Sequence, residues 1–314
     1  MEVAVGFSLN PELIVEYDGN QPPPNAKLKI LSTNVQVSGS SANVAIALHN
    51  LGRKPHLFGL VGAHGGHVED VLLKHVLQSL NFEWTPIRVL DRTSFALLRV
   101  DRSNPSEKVM GRRGEVLKDR LEEECDLIRR NGEIRDSVIR VATGVRVSEV
   151  PLALELFERG QIILTPNAEL LNHPEEFHRL LARTSILVWN ENEANQYFKS
   201  QGRKKTNRLH LHSRGARIVI TTLGDRGGKI WVEGWAECLF PAQKLTGRIL
   251  STQGAGDWFL AGFITAILES GEKISSLVKP PDNLADWCVF GAKVAAKKLS
   301  FLGSGQGPSR GDIF

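Results

Sequence analysis

Cysteine is scarce in this chain. Three among 314 residues (Cys125, Cys238 and Cys288), far apart and without paired spacing, argue against a disulfide framework and against a zinc-ligand pattern. Long apolar runs are missing as well, and no stretch approaches the ~20 residues that a membrane span needs. The opening Met1–Phe7 has no basic segment leading into a long apolar one, so no secretory leader is expected and the expected address is the cytoplasm. Excess charge of one sign is absent too. The 39 Lys and Arg against 35 Asp and Glu leave only +4, and the signs are interspersed, as Glu122–Glu124 against Arg129 and Arg130. That balance speaks against a nucleic-acid footprint. The short run Arg203–Lys205 reads as a solvated helix end or loop. There are no internal repeats or low-complexity segments. The first strand runs into Gly6-Phe-Ser-Leu-Asn, not into Gly-x-Gly-x-x-Gly, which removes the usual dinucleotide-binding turn.

What is present is alternation. β-like segments at Val3–Phe7, His56–Val61, Ser137–Ala142, Gln161–Leu164, Ser185–Trp189 and Arg217–Thr222 take turns with helical patterns. Among the latter are a helix ending at Leu51, Glu69–Leu80, Asp119–Arg130, Pro151–Arg159, Pro174–Ala182 and Glu191–Ser200. Two further helices, Asp257–Glu269 and Leu284–Leu299, close the chain. Such alternation predicts an α/β fold, a doubly wound and mostly parallel sheet with helices on both faces. Ligands of such sheets sit at the carboxyl ends of the strands, where the Gly-rich turns of this chain fall. The prolines within Asn20–Asn25 mark a loop, and Trp84–Val89 with Phe95–Val100 read as a hairpin outside the main sheet.

The most informative segment is Ser251-Thr-Gln-Gly-Ala-Gly-Asp257, followed at once by an apolar helical run. Small residues admit a ligand close to the backbone, and a helix start presents N–H groups with no acceptor of their own. Asp257 in that first turn places a carboxylate beside an anion site. Phosphoryl transfer needs both, donors for the transferred group and a base for the attacking hydroxyl. Taken alone, Gly254–Asp257 reads equally as a Gly-rich turn with a helix-capping Asp.

Four segments in order resemble the ribokinase/PfkB family of carbohydrate and nucleoside kinases, over roughly residues 3–305. They are Gly39-Ser-Ser-Ala-Asn43 with Gly52 and Val61-Gly62 downstream, Asn190-Glu-Asn-Glu193, Thr222-Leu-Gly-Asp-Arg-Gly227, and Gly254-Ala-Gly-Asp257. The resemblance implies one ribokinase-like domain over 1–314, with a small β lid built from about 10–37 and 84–112. It implies ATP and Mg²⁺ as cofactors and transfer of the γ-phosphoryl group to a hydroxyl of a small sugar or polyol. Asp257 would be the base, and Gly254, Ala255 and Gly256 with Asp257 the anion hole. Glu193 would hold Mg²⁺ through water, with Asn190 beside it; both residues also suit a helix cap. Thr222, Gly224 and Gly227 would meet the nucleotide, and Gly291 and Ala292 its adenine, although small residues on a helix face also serve close packing. Asn10, Gly39 and Asn43 would contact the acceptor. Lids of this family often pair between subunits, which implies a homodimer, with no nucleic-acid or membrane partner.

The chain also departs from the family pattern. An acid expected near the start of the lid corresponds to Ile14, with Asp18 the nearest carboxylate in that reading. Two basic positions of the phosphosugar-kinase branch are Ser40 and Ser94 here, with Arg92 and Arg99 close to the second. An aspartate that helps build a potassium site in many members is Ser251. A nucleoside kinase and a non-catalytic ligand-binding or regulatory protein of the same fold therefore stand as alternatives.

Overall fold

The computed structural model describes residues 2–18, 29–78, 80–102, 106–132, 134, 137–157, 161–202, 208–245, 247–272 and 283–313. The loop read at 20–25 and the basic run at 203–205 lie outside them.

Among the described residues nine strands form one sheet: β1 (Val3–Phe7), β4 (Pro55–Gly62), β5 (Glu83–Leu90), β8 (Ile139–Val145), β9 (Gln161–Pro166), β10 (Ile186–Asn190), β11 (Ile218–Thr222), β12 (Gly228–Val232) and β13 (Cys238–Phe240). Their order is β13-β12-β11-β10-β9-β8-β1-β4-β5. Every pairing from β11 to β5 is parallel, and only the edge pairs β11–β12 and β12–β13 run antiparallel. β10 and β11 show why the sheet is covered twice. Ile186, Val188, Ile218 and Ile220 face one core layer, while Leu187, Trp189 and Val219 face the other. A period of two with apolar residues on both faces is what a parallel sheet under two helix layers requires. This is the α/β architecture expected from the sequence.

Among the described residues a second sheet comprises β2 (Asn10–Tyr17), β3 (Ile30–Ser38), β6 (Phe95–Asp101) and β7 (Ser106–Arg112). It stands apart from the first, in the order β3-β2-β6-β7. The hairpin expected from 84–89 and 95–100 does not form. β5 pairs in parallel with β4 at the edge of the large sheet, and β6 belongs to the small one. β5 buries Ile87, Val89 and Leu90 completely or nearly so, which holds it on the main core. The polar link that resembled a hairpin turn is a crossing between sheets, with Thr93 Oγ1 accepting from Gly62 N at 2.8 Å.

The helix Ala255–Ser270 packs on Leu284–Lys298 and on the helix Ser40–Asn50. The first contact is so close that a Cβ on Gly262 would lie 2.9 Å from the Cα of Gly291. Glycine at these two positions lets the backbones meet. Among the described residues no helix is long and apolar enough to cross a membrane.

Candidate active site

Helix Ala255–Ser270 begins where Gly254 turns the chain into the left-handed region at φ 75°. A side chain there would be strained, and its Cβ would sit 2.7 Å from the carbonyl oxygen of Ser304. The turn places Asp257 in the first turn of a 16-residue helix, whose positive dipole end favours a negative group. Trp258 N bonds back to Gly254 O at 3.0 Å, and Ala255 N reaches Thr252 O at 3.4 Å.

Opposite this helix start lies the start of Ser40–Asn50. Its cap, Gly39, has φ 101°, and a Cβ would stand 2.6 Å from Ser8 O. The turn delivers Asn43, which is 3% exposed, with Nδ2 donating to Asp257 Oδ2 at 2.8 Å. Its Oδ1 is buried without a partner. Burial pushes the Asp257 carboxyl up to about 7, and the negative charge of Glu193 adds to the rise. Hydrogen bonds from Asn43 and Ser40 and the positive charge of Lys298 oppose it.

Asn43 and Asp257 share a cavity of about 330 Å³ with Asn10, Gly39, Ser40 and Gly254. Leu60, Leu90, Phe95 and Val109 give it apolar walls, and Arg112 and Arg113 also line it. No carboxylate stands at position 14, but Glu12, two residues before it, lies in the cavity wall. Glu12 lines the cavity at 3% exposure, accepts from Gln36 Nε2 at 2.5 Å, and receives Ser304 N at 3.4 Å. Ile14 is instead apolar packing, with Leu98, Val100 and Leu302. Reading β2 with period two from Asn10 would have found Glu12 on the same face. Sequence reasoning also missed Arg146 and Glu149. This buried pair closes at 2.6 Å, with Arg146 Nη1 donating to Gly114 O at 2.7 Å, and both residues line the cavity.

The serines that replace the branch's basic positions are both cavity residues, and Ser94 Oγ accepts from Gly114 N at 3.1 Å. Arg99 is held elsewhere, its guanidinium 5.1 Å over the ring of Tyr17. The arginines of the cavity are Arg112 and Arg113 from the end of β7, together with Arg146.

Asn190 and Thr222 end the neighbouring strands β10 and β11 and sit side by side in register. Asn190 and Glu193 form a reciprocal cap. Asn190 Oδ1 accepts from Glu193 N at 2.9 Å, and Glu193 Oε2 accepts from Asn190 N at 2.8 Å. Both thus perform the capping alternative. Burial nevertheless raises the Glu193 carboxyl above its ordinary value, against the lowering effect of the Asn190 bonds. Gly224, with φ 64°, has no atom within 4 Å of where a Cβ would stand, so its backbone is open to a ligand. Gly227 and Gly291 are different. A Cβ would lie 2.1 Å from Phe240 O at the first and 2.7 Å from Phe259 O at the second, so backbone packing already requires both. Ala292 is half-buried against the core beside them. Among the described residues no group of three or more His, Cys, Asp or Glu side chains could hold a metal ion unaided. The three cysteines are free.

The family model described as pfkB family carbohydrate kinase matches residues 8–307. The chain therefore belongs to the pfkB family, a family of kinases that act on carbohydrates or nucleosides. Solved structures agree in fold. A nucleoside kinase of Methanocaldococcus jannaschii, an archaeal member of the ribokinase family, is 18% identical, covering 100% of this chain and 97% of its own, with a TM-score of 0.73. The ribokinase of Thermotoga maritima is 19% identical, covering 100% and 98%, with a TM-score of 0.72. Arabidopsis thaliana ribokinase, solved with ribose and ATP, is 18% identical, covering 99% and 97%, with a TM-score of 0.69. No relative is found among curated proteins.

Proposed function

We propose that this chain transfers the γ-phosphoryl group of ATP to a hydroxyl of a small carbohydrate or related polyol. The observation that carries this reading is Asp257, a carboxylate raised to about 7 at a helix start, bonded to Asn43 in a cavity of acceptor size. A base with a value near neutrality accepts a proton during reaction without being too weak to do so. Asp257 takes the hydroxyl proton as the oxygen attacks the terminal phosphorus. The phosphorus–oxygen bond to the leaving diphosphate breaks as the new one forms. The first-turn amides of Gly254–Asp257 meet the charge on the transferred group. Asn43 fixes the carboxylate oxygen that does not take the proton. Asn43 Oδ1, buried without a partner, would accept from an acceptor hydroxyl, with Glu12 in the same cavity.

The donor's phosphates would run from Gly254–Asp257 toward Thr222 and Gly224. A divalent cation there would draw its ligands mainly from those phosphates and water, with Glu193 beyond the water shell, since the described residues alone supply no cation cage. Such an ion would neutralise charge on the phosphates. The small sheet, strands β2, β3, β6 and β7, serves as a lid that keeps water from the reacting groups. Its exposed Ile30, Leu31 and Met110 would allow pairing with a second copy.

A nucleoside acceptor is the second reading, favoured by the apolar wall of Leu60, Leu90, Phe95 and Val109. The non-catalytic alternative drew on the lack of an acid at the acceptor end, and Glu12 removes that support. The test is ATP consumption against a panel of sugars, phosphosugars, polyols and nucleosides. Turnover with one class is expected, and nucleotide binding without turnover on any member would defeat the proposal.

A further inference from the structure

Lys298 ends the helix Leu284–Lys298, and none of its surface reaches solvent. An ammonium group taken out of water is costly unless its donors are matched. Here Nζ donates to Gly303 O at 2.6 Å and to Phe301 O at 3.2 Å, at the negative end of the helix.

Those carbonyls belong to the loop 299–305, which touches the anion turn, the base helix and the acceptor end of the candidate site. The oxygen of Ser304 lies directly under Gly254 and accepts from Trp258 Nε1 at 3.2 Å. Ser304 N and Oγ donate to Glu12 at 3.4 Å. Leu299 O receives Leu250 N at 2.7 Å, which ties in the segment that enters the anion turn. Toward the lid, Gly303 and Gly305 approach Gln36 and Val37 so closely that a Cβ on either would overlap them. One buried charge thus gathers a loop to which the anion turn, the base helix and the acceptor carboxylate are all fastened. The nearby Ser251, 2% exposed, offers only a neutral hydroxyl, already accepting from Gln253 N at 3.1 Å.

Building on the kinase reading, we infer that Lys298 is a built-in monovalent cation. It is a positioning residue whose ammonium collects the backbone carbonyls of 299–305 and orders the Gly254–Asp257 turn, in place of a dissolved ion. The enzyme consequently works without free K⁺.

The experiment uses the full chain as wild type, Lys298→Ala and Lys298→Met. Each is assayed for kcat and KM, and separately for thermal midpoint without substrates, in K⁺, NH₄⁺ or tetramethylammonium at one ionic strength. Wild type should differ by less than about threefold across the three cations. Lys298→Ala should lose at least about tenfold in kcat in tetramethylammonium, with NH₄⁺ or K⁺ restoring most of it and raising its thermal midpoint. Lys298→Met, which fills the space without charge, should not respond. The inference is overturned by K⁺ activation of wild type of about tenfold or more, by a Lys298→Ala protein of wild-type rate, or by one that no cation restores. Should neither variant fold, the wild-type comparison decides alone. The thermal arm needs no turnover. Cation stabilisation of Lys298→Ala in an inactive protein would sink the kinase reading and keep the cation role. An active wild type with an unresponsive Lys298→Ala would sink only this inference.

Discussion

Asn43 holds Asp257 across 2.8 Å, although 214 residues separate them in the chain. The bond joins two helix starts that each follow a positive-φ glycine, Gly39 and Gly254. It engages Oδ2 of the carboxyl, which also receives a hydrogen bond from Ser40.

From that geometry, Asp257→Asn should lower kcat by about 10²–10⁴-fold, the scale of a lost general base. Nucleotide affinity should change little, because the anion site is backbone. In wild type, kcat should rise with pH through about 7 and then level off, as the carboxylate must be ionised to act. A variant of near-native turnover, or a flat profile from pH 5 to 9, would remove Asp257 from the role of base.

The same carboxyl makes a stability prediction. Its folded value lies above the ordinary value of 3.8, so the unfolded chain loses the proton first as pH rises. Between about 4 and 7 the folded state therefore loses stability with rising pH, and above about 7 the whole penalty is present. Asp257→Asn should melt at a higher temperature than wild type at pH 8, with the gap closing toward pH 4. Thermal unfolding of both proteins across that range is the check, and a gap independent of pH would contradict it.

Glu193→Gln separates cap from cation. Glutamine can still cap the helix at this position, so the thermal midpoint should move little. The Mg²⁺ concentration for half-maximal rate should rise, since a charged anchor for the ion's water is gone. An unchanged Mg²⁺ titration would leave Glu193 with the cap alone.

Glu12→Gln addresses the acceptor. It keeps shape beside Gln36 and Ser304 but removes the charge, and a hydrogen bond to a charged group is worth about 1.5–3 kcal/mol. The acceptor KM should rise by about tenfold or more while that for ATP stays put. Equal effects on both would mark Glu12 as a structural member of the lid.

Gly291→Ala tests the helix crossing. The added Cβ would meet Phe259 O at 2.7 Å, and overpacking of this kind costs about 1–3 kcal/mol. A lower thermal midpoint with unaltered ADP affinity is expected. Lost ADP affinity at unchanged stability would return Gly291 to the adenine pocket.

Several features of this chain are local and follow from the order of its residues alone. The double-sided apolar pattern of β10 and β11 dictates a sheet covered twice, because each face must leave water. Gly254-Ala-Gly-Asp257 marks a turn ahead of a helix with a carboxylate in its first turn, since glycine alone enters the positive-φ region without strain. Other features depend on partners distant in the chain. Whether 83–90 closes a hairpin or extends the large sheet rests on β4, which contributes the parallel partner. Glu12 and Ile14 share one face of β2, and their different surroundings come from distant segments: Ser304, 292 residues away, meets Glu12, while Leu98, Val100 and Leu302 cover Ile14. The small size of Gly291 could be assigned only once Gly262 and Phe259 lay against it. In the sequence Lys298 is one of two adjacent lysines with nothing to set it apart from Lys297. Only the folding of 299–305 back over it removes it from water and gives its charge a use, because burial and hydrogen bonding across the chain are properties of the packed whole.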